Sequence, residues 1–578
     1  MRVRPAVIVV LLLAAGCTRT KASEVTVASQ SASTADVTTA GRAAPVGGGS
    51  TPAGTTQPNA STPQTTKPAS AAPPTATSQP ITQPTSTQPI TSQPATSQPI
   101  SQSASTQPAT DRAQAVPVSP PPAPIVWRKC TGNRTECATL VVPLDYRHPT
   151  DGQTISLKLK RRLATGTSIG PLLVNPGGPG VGGTVMVDGA EGYFDAALLE
   201  KFDITAWDPR GTGDSDGIVC LDDVDQFLAL DPTPDDAAER QAIVDADALF
   251  ANGCKTRSGR VLPFVSTEDS ARDIDQIRQA LGVAQISYFG FSYGSRLGAT
   301  YATLFPSGVR TMVIDGAEDP DATGTQASLQ QVIGFENAFE SYLASCASDT
   351  ACPFRHGGDP GTAFDALMNK LDAKPLSVRS NRAKVNQGVA INAVAEVLYA
   401  DGRWPLLSRA LAAAERGDGS ALLSLYDSYT RRNSPGEEHL FDAFEVISCL
   451  DKPGPTNAAD AQALIDQATI AAPRLGRYLS SPSIVCAQLP SSPSSPSSPS
   501  SAKVTGAGAG NILVVGTTGD PATPYSDTVK MAKALEGGVL LTVKANQHTG
   551  YGANTCASAT VDNVLINKVF PPAGTVCG

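Results

Sequence analysis

The sequence predicts an α/β fold: a mostly parallel sheet flanked by helices, interrupted by a helical insertion. Three observations predict it. A helix, a short apolar strand, a Gly-x-Ser-x-Gly turn and a second helix follow one another between Ser266 and Leu304. A second apolar strand, Asn511–Thr517, leads into Asp520. A third, Val539–Lys544, is followed by His548. Strands alternating with helices in this way build sheets covered on both faces.

The first of these runs in order. Ser266-Thr-Glu-Asp269 has the pattern of a helix start, and Ala271, Ile274, Ile277 and Leu281 form one apolar stripe closed by Gly282. Gln285–Phe289 reads as a buried strand. Ser295–Leu304 places Leu297, Tyr301 and Leu304 on one helical face, and Pro306 follows its end. The turn between them is Gly290-Phe-Ser292-Tyr-Gly294. The same pattern occurs at Ser168 and Ser215, but Ser168 sits in a polar turn ahead of a strand. Ser215 sits in a Gly/Asp-rich loop with no apolar helix after it. A nucleophile elbow needs a strand before the serine and a helix after it, so Ser292 is the candidate nucleophile.

A serine hydroxyl needs a base at neutral pH. The chain offers four histidines: His148, His356, His439 and His548. The first lies before the sheet core, the second in a loop beside Cys352, and the third after a polar Gly-Glu-Glu turn. His548 lies in the loop after a late strand and is the candidate base. The orienting acid should end the strand between nucleophile and base. Asp520, in Asp520-Pro-Ala-Thr-Pro524, does so, with Asp527 as its rival inside the next helix. The order Ser292, Asp520, His548 is that of α/β-hydrolases. Backbone N–H groups must then face the developing oxyanion. Tyr293 follows the nucleophile, and Gly178 lies in Asn175-Pro-Gly-Gly-Pro-Gly180 after the early strand Pro171–Val174.

The chain has 578 residues, but residues 18–123 are Ser, Thr, Pro, Gln, Ala and Gly with almost no large apolar side chains. Such a composition cannot offset its backbone entropy and reads as a disordered tether. Ahead of it, Arg2 and Arg4 precede the apolar run Ala6–Ala15, then Gly16 and Cys17. That is an export signal, and Leu13-Ala-Ala-Gly-Cys17 resembles a bacterial lipobox in which Cys17 is lipidated. The expected place is the outer face of a bacterial membrane. Eleven cysteines less Cys17 leave ten, an even number suited to an oxidising compartment. Pairing neighbours gives Cys130–Cys137, Cys220–Cys254, Cys346–Cys352, Cys449–Cys486 and Cys556–Cys577. No metal site or cofactor is implied. A net charge of −9 argues against nucleic acid as a partner, and oligomeric state is not legible.

Taken together, the motifs resemble the tripeptidyl aminopeptidase family of secreted α/β-hydrolases, relatives of the prolyl aminopeptidases. The residues that carry the resemblance are Val142-Pro-Leu-Asp-Tyr146, Asn175–Gly180, Asp208-Pro-Arg-Gly-Thr-Gly-Asp-Ser215, Arg272-Asp-Ile-Asp275, Gly290–Gly294, Val313-Ile-Asp-Gly316 and Asp520–Pro524. The resemblance implies a hydrolase core over 124–319 and 506–578, a helical cap inserted over 320–505, and cleavage near a free peptide amino terminus, releasing tripeptides. It implies Ser292, Asp520 and His548 as the triad and Gly178 and Tyr293 as oxyanion donors. An exopeptidase must also hold a peptide ammonium. Asp451 matches a recurrent acidic position of the family, and Glu445 lies nearby. One departure is clear: after Cys486 the family usually has Trp-Pro, whereas this chain has Ala487-Gln-Leu-Pro490 and a flexible Ser/Pro repeat over 491–501. The sequence thus predicts a lipid-anchored serine exopeptidase acting on peptides with free amino termini. An esterase or lipase with the same triad, and a silent surface-binding module, are the alternatives.

Overall fold

The computed structural model describes residues 119–379, 381–491 and 503–578. The expected leader, Cys17, the tether up to residue 118 and positions 492–501 of the Ser/Pro segment lie outside the described residues. No described helix is long and apolar enough to cross a membrane.

Among the described residues ten strands form one sheet: β1 (Arg128–Lys129), β2 (Thr135–Pro143), β3 (Thr154–Arg162), β4 (Pro171–Asn175), β5 (Asp203–Trp207), β6 (Ile286–Phe291), β7 (Val309–Asp315), β8 (Ile512–Thr517), β9 (Gly538–Val543) and β10 (Val576–Cys577). Their spatial order is β1-β2-β3-β5-β4-β6-β7-β8-β9-β10. The pairings from β1 through β3 to β5 are antiparallel, and those from β5 onwards to β10 are parallel. Parallel strands covered on both faces should be apolar throughout rather than alternating. β6 and β8 are buried at every position and β4 at all but its first.

The elements leading to Ser292 form as the periodicity predicts. Ser266 caps the helix Thr267–Ala280 by accepting from the Asp269 N–H, which satisfies one of that helix's open donors. The strand runs two residues further than its apolar pattern suggested, to Phe291, and the next helix begins at Tyr293. Ser292 alone therefore makes the reversal.

Between β7 and β8 the described chain is helical in its main elements, among them Gly324–Ser348, Gln387–Leu398, Trp404–Glu415, Ser420–Tyr429 and Leu440–Asp451. These helices bury a separate core that includes Phe339, Phe364, Val394, Leu407, Leu411 and Leu422. All five neighbouring cysteine pairs are disulfides, with S–S distances of 1.96–2.06 Å. Cys449–Cys486 ties the Leu440–Asp451 helix to the stretch that ends the insertion.

Candidate active site

Ser292 has φ 55° and ψ −126°, a conformation that an L-residue adopts only under constraint. Its N–H donates to the Asp315 carbonyl at 2.8 Å, which pins the turn to the end of β7. The flanking glycines are a steric requirement: a Cβ on Gly290 would lie 2.2 Å from the Gly294 carbonyl oxygen. The Asn175–Gly180 loop packs on the same turn. A Cβ on Gly177 would lie 2.9 Å from the Ser292 Cβ and 3.0 Å from the Tyr293 nitrogen. That loop thus runs directly against the elbow, and neither the Gly178 nor the Tyr293 amide donates to another described backbone group.

His548 is fully buried, and its Nδ1 lies 2.8 Å and 3.0 Å from the two Asp520 carboxylate oxygens. The same carboxylate accepts from the Ala522, Thr523 and Thr549 N–H groups and from the Thr523 hydroxyl, at 2.9–3.1 Å. The rigid turn after β8 supplies most of these donors and so fixes Asp520, and Asp520 fixes the imidazole. His548 Nε2 is buried and makes no hydrogen bond. The ring abuts the turn after β7: a Cβ on Gly316 would lie 3.3 Å from His548 Cε1. Asp527 faces Lys530 instead, at 3.4 Å. The other histidines, His148, His356 and His439, pair with Asp145, Glu415 and Asp442 rather than with Asp520.

Asp315 joins the two halves of this arrangement, and the sequence pattern did not reveal it. Its backbone carbonyl holds Ser292. Its carboxylate accepts from the Gly550 and Tyr551 N–H groups at 2.7 and 2.8 Å, just after His548. Burial pushes this carboxyl up to about 7, against the pull of those two donors.

Ser292 opens into a cavity of about 480 Å³, lined by the sheet core and the helical insertion together. Gly178, Tyr293, Glu445, Asp451, Phe441 and Cys486 are among its walls. The two acidic candidates differ. Asp451 accepts from the Thr267 N–H at 2.9 Å and from the Thr267 hydroxyl, which also meets the Tyr293 hydroxyl at 2.7 Å. Asp451 therefore braces the elbow helix and faces the Arg296 charge. Glu445 has no nitrogen donor or cation against it among the described residues, and burial, with the nearby Asp247, pushes it up to about 7. Asp247 itself is occupied by Ser483 and the Ile484 N–H. The Glu445 carboxylate lies within 4.8 Å of the Cys449 and Cys486 sulfurs. Those sulfurs form a disulfide and supply no thiolate for a metal.

A sequence profile described as the alpha/beta hydrolase fold matches residues 170–406, and one described as TAP-like protein matches residues 472–577. Serine protease Hip1 of Mycobacterium tuberculosis H37Rv is 36% identical over 486 residues, covering 78% of this chain and 91% of that one. The chain belongs to the TAP-like α/β-hydrolase family. Carboxylesterase B of the same organism is 34% identical over 485 residues, covering 79% and 91%. Tripeptidyl aminopeptidase of Streptomyces lividans is 30% identical over 465 residues, covering 76% and 84%. As a member of the TAP-like family the protein is a serine hydrolase.

Proposed function

We propose that this TAP-like hydrolase is an exported serine exopeptidase that releases short peptides, tripeptides above all, from free amino termini. Ser292 Oγ attacks the carbonyl carbon and His548 Nε2 takes its proton. Asp520 holds the imidazole in the required tautomer and stabilises the imidazolium. The Tyr293 and Gly178 N–H groups receive the oxyanion. The imidazolium then gives its proton to the departing amine, and water, activated by the same imidazole, releases the acyl group from Ser292.

The observation that carries the peptidase reading is Glu445, a half-buried carboxylate with no cation against it among the described residues, in the wall of the cavity that holds Ser292. A peptide ammonium supplies the charge it lacks. The likeness to a carboxylesterase favours a second reading, an esterase with the same triad. A digest of a peptide library with wild type and Ser292→Ala decides between them. Three-residue products from free amino termini, lost with Ser292, are expected. Cleavage of esters with no peptide cleavage would leave the esterase.

The leader and Cys17 support anchoring at the outer membrane face, with the low-complexity stretch as tether. The five disulfides suit that compartment. Mass spectrometry of the mature amino terminus should find a lipidated Cys17; an unmodified, differently cleaved end would refute the anchor.

A further inference from the structure

One helix of the insertion carries more of the cavity than the mechanism above uses. The helix Leu440–Asp451 buries most of its positions, among them Ala443, Val446 and Ile447. It leaves Phe441, Phe444, Glu445 and Ser448 half-buried. Those four are spaced i, i+3, i+4 and i+7, so they form one stripe along the helix. All four line the cavity that holds Ser292.

The stripe begins at the oxyanion loop. A Cβ on Gly180 would lie 2.8 Å from the Phe444 nitrogen and 3.3 Å from its Cα. Phe444 therefore packs on the glycine loop that also carries Gly178. The Phe441 ring centroid lies 6.0 Å from that of Phe444 and 5.1 Å from that of Tyr429. Tyr429 ends the helix Ser420–Tyr429 and lines the same cavity. Three aromatic rings thus stand in a row, with Phe441 in the middle. Phe441 also packs on the apolar cluster of the sheet core, which holds the row in place.

The charges of the cavity wall are arranged around this row. Glu445 shares the stripe, about 6 Å along the helix from Phe441. Among the described residues the cations of the wall are Arg296 and Lys452, and both face Glu318, at 3.6 and 3.2 Å. An acidic side chain laid on the rings would meet no free cation, and burying an unpaired charge is costly. A large apolar side chain would gain by leaving water, and an aromatic one would gain further from the neighbouring rings.

We propose that Tyr429, Phe441 and Phe444 form the pocket for the side chain of the residue whose carbonyl Ser292 attacks, and that they select a large apolar or aromatic side chain there. This rests on the exopeptidase reading and deepens it. In that reading the ammonium at Glu445 belongs to the acyl part of the substrate, so the rings that share its stripe border the acyl part too. A side chain branches one bond from its carbonyl carbon, and the row starts at the loop that receives the carbonyl oxygen. Three residues span at most about 10 Å, enough to cover the helix from Phe441 to Glu445.

The test is kcat/KM for free-amine Ala-Ala-Xaa arylamides in which Xaa is Gly, Ala, Leu, Phe or Glu. Wild type should prefer Phe to Ala about thirtyfold and take Glu worst. Phe441→Ala should cut the Phe-to-Ala ratio to about threefold. Phe441→Trp, which fills the pocket, should favour Ala over Phe, with melting curves confirming folded variants. Equal rates for Ala and Phe in wild type, a comparison that needs no variant, overturn the proposal. So does a ratio that persists in both variants. A second series, Ala-Ala-Ala-Xaa, varies the residue after the scissile bond, and a preference found only there overturns the placement on the acyl side. The esters 4-nitrophenyl acetate and 4-nitrophenyl 3-phenylpropanoate ask the same question without an ammonium. Preference for the phenylpropanoate, lost in Phe441→Ala, with no peptide cleavage sinks the exopeptidase and keeps the pocket. Tripeptide release that ignores Xaa does the reverse, and neither peptide cleavage nor ester preference sinks both.

Discussion

Asp520 and Glu445 are both carboxylates of the Ser292 region, one buried at the end of a core strand and one half-buried in the helical insertion. They are treated in opposite ways. Asp520 accepts from three backbone N–H groups, a hydroxyl and an imidazole. Among the described residues Glu445 has neither a nitrogen donor nor a cation against it, and desolvation pushes its carboxyl up to about 7. A saturated carboxylate is a fixed part that aims its neighbour. An unsaturated one in a cavity wall is poised for a ligand. The core thus holds its carboxylate in a closed hydrogen-bond set, and the insertion presents one that is open to the Ser292 cavity.

The sharpest way to break that contrast is to open the closed carboxylate. Asp520→Asn keeps the shape but presents a donor to His548 Nδ1, which forces the wrong tautomer. We expect kcat to fall about 10⁴-fold with little change in KM. A fall of less than tenfold would show that Asp520 does not orient the base. Asp315→Asn is the next largest. One of the two N–H groups after His548 loses its acceptor, and the base shifts against the serine. A fall in kcat of about 10²-fold with unchanged KM is expected. A change confined to melting temperature would reduce Asp315 to a structural role.

Glu445→Gln addresses the open carboxylate and should have the smallest effect. The preference for free-amine over acetylated peptides should shrink about tenfold, through KM. The pH dependence has a definite sign. Glu445 ionises as pH rises through about 7, and a peptide ammonium loses its proton near 8. The ratio of kcat/KM for a free-amine peptide to that for an ester cancels the shared imidazole. It should peak between about 7 and 8 and flatten in the variant. Stability follows the same carboxyl. A folded-state value raised above the unfolded one stabilises the fold at low pH and is lost as pH rises through 7. The melting temperature of Glu445→Gln relative to wild type should therefore climb between pH 5 and pH 8.

Much of this was legible in the sequence because its signals are local. Strand, elbow and helix around Ser292 lie within one short stretch, and each disulfide joins cysteines that are neighbours along the chain. Residues whose meaning depends on a distant partner were not legible. Asp451 and Glu445 stood in the sequence as two neighbouring acidic candidates for the same role. They differ because Thr267, 184 positions away, occupies Asp451. Asp315 stood out only as part of the Val313-Ile-Asp-Gly316 resemblance motif, with no role attached, since the amides it holds lie 235 and 236 positions further on. Arg431 resembles Arg432 beside it in sequence; in the fold Arg432 pairs with Asp225, whereas Arg431 is buried with no ion pair among the described residues.

The double role of Asp315 bears on how such an enzyme can change. The residue closes the strand from which the helical insertion departs, and it grips the imidazole loop on the far side of that insertion. Serine and histidine are therefore registered to each other by one side chain and one carbonyl, both upstream of the excursion. The intervening helices can be lengthened, trimmed or exchanged where they do not touch the site; Tyr399, whose carbonyl accepts the His548 backbone N–H, and Asp451, which braces the elbow helix through Thr267, are the parts that must stay. Substrate choice and bond-breaking chemistry become separately heritable traits, and a shared scaffold can carry a peptidase in one lineage and an esterase in another.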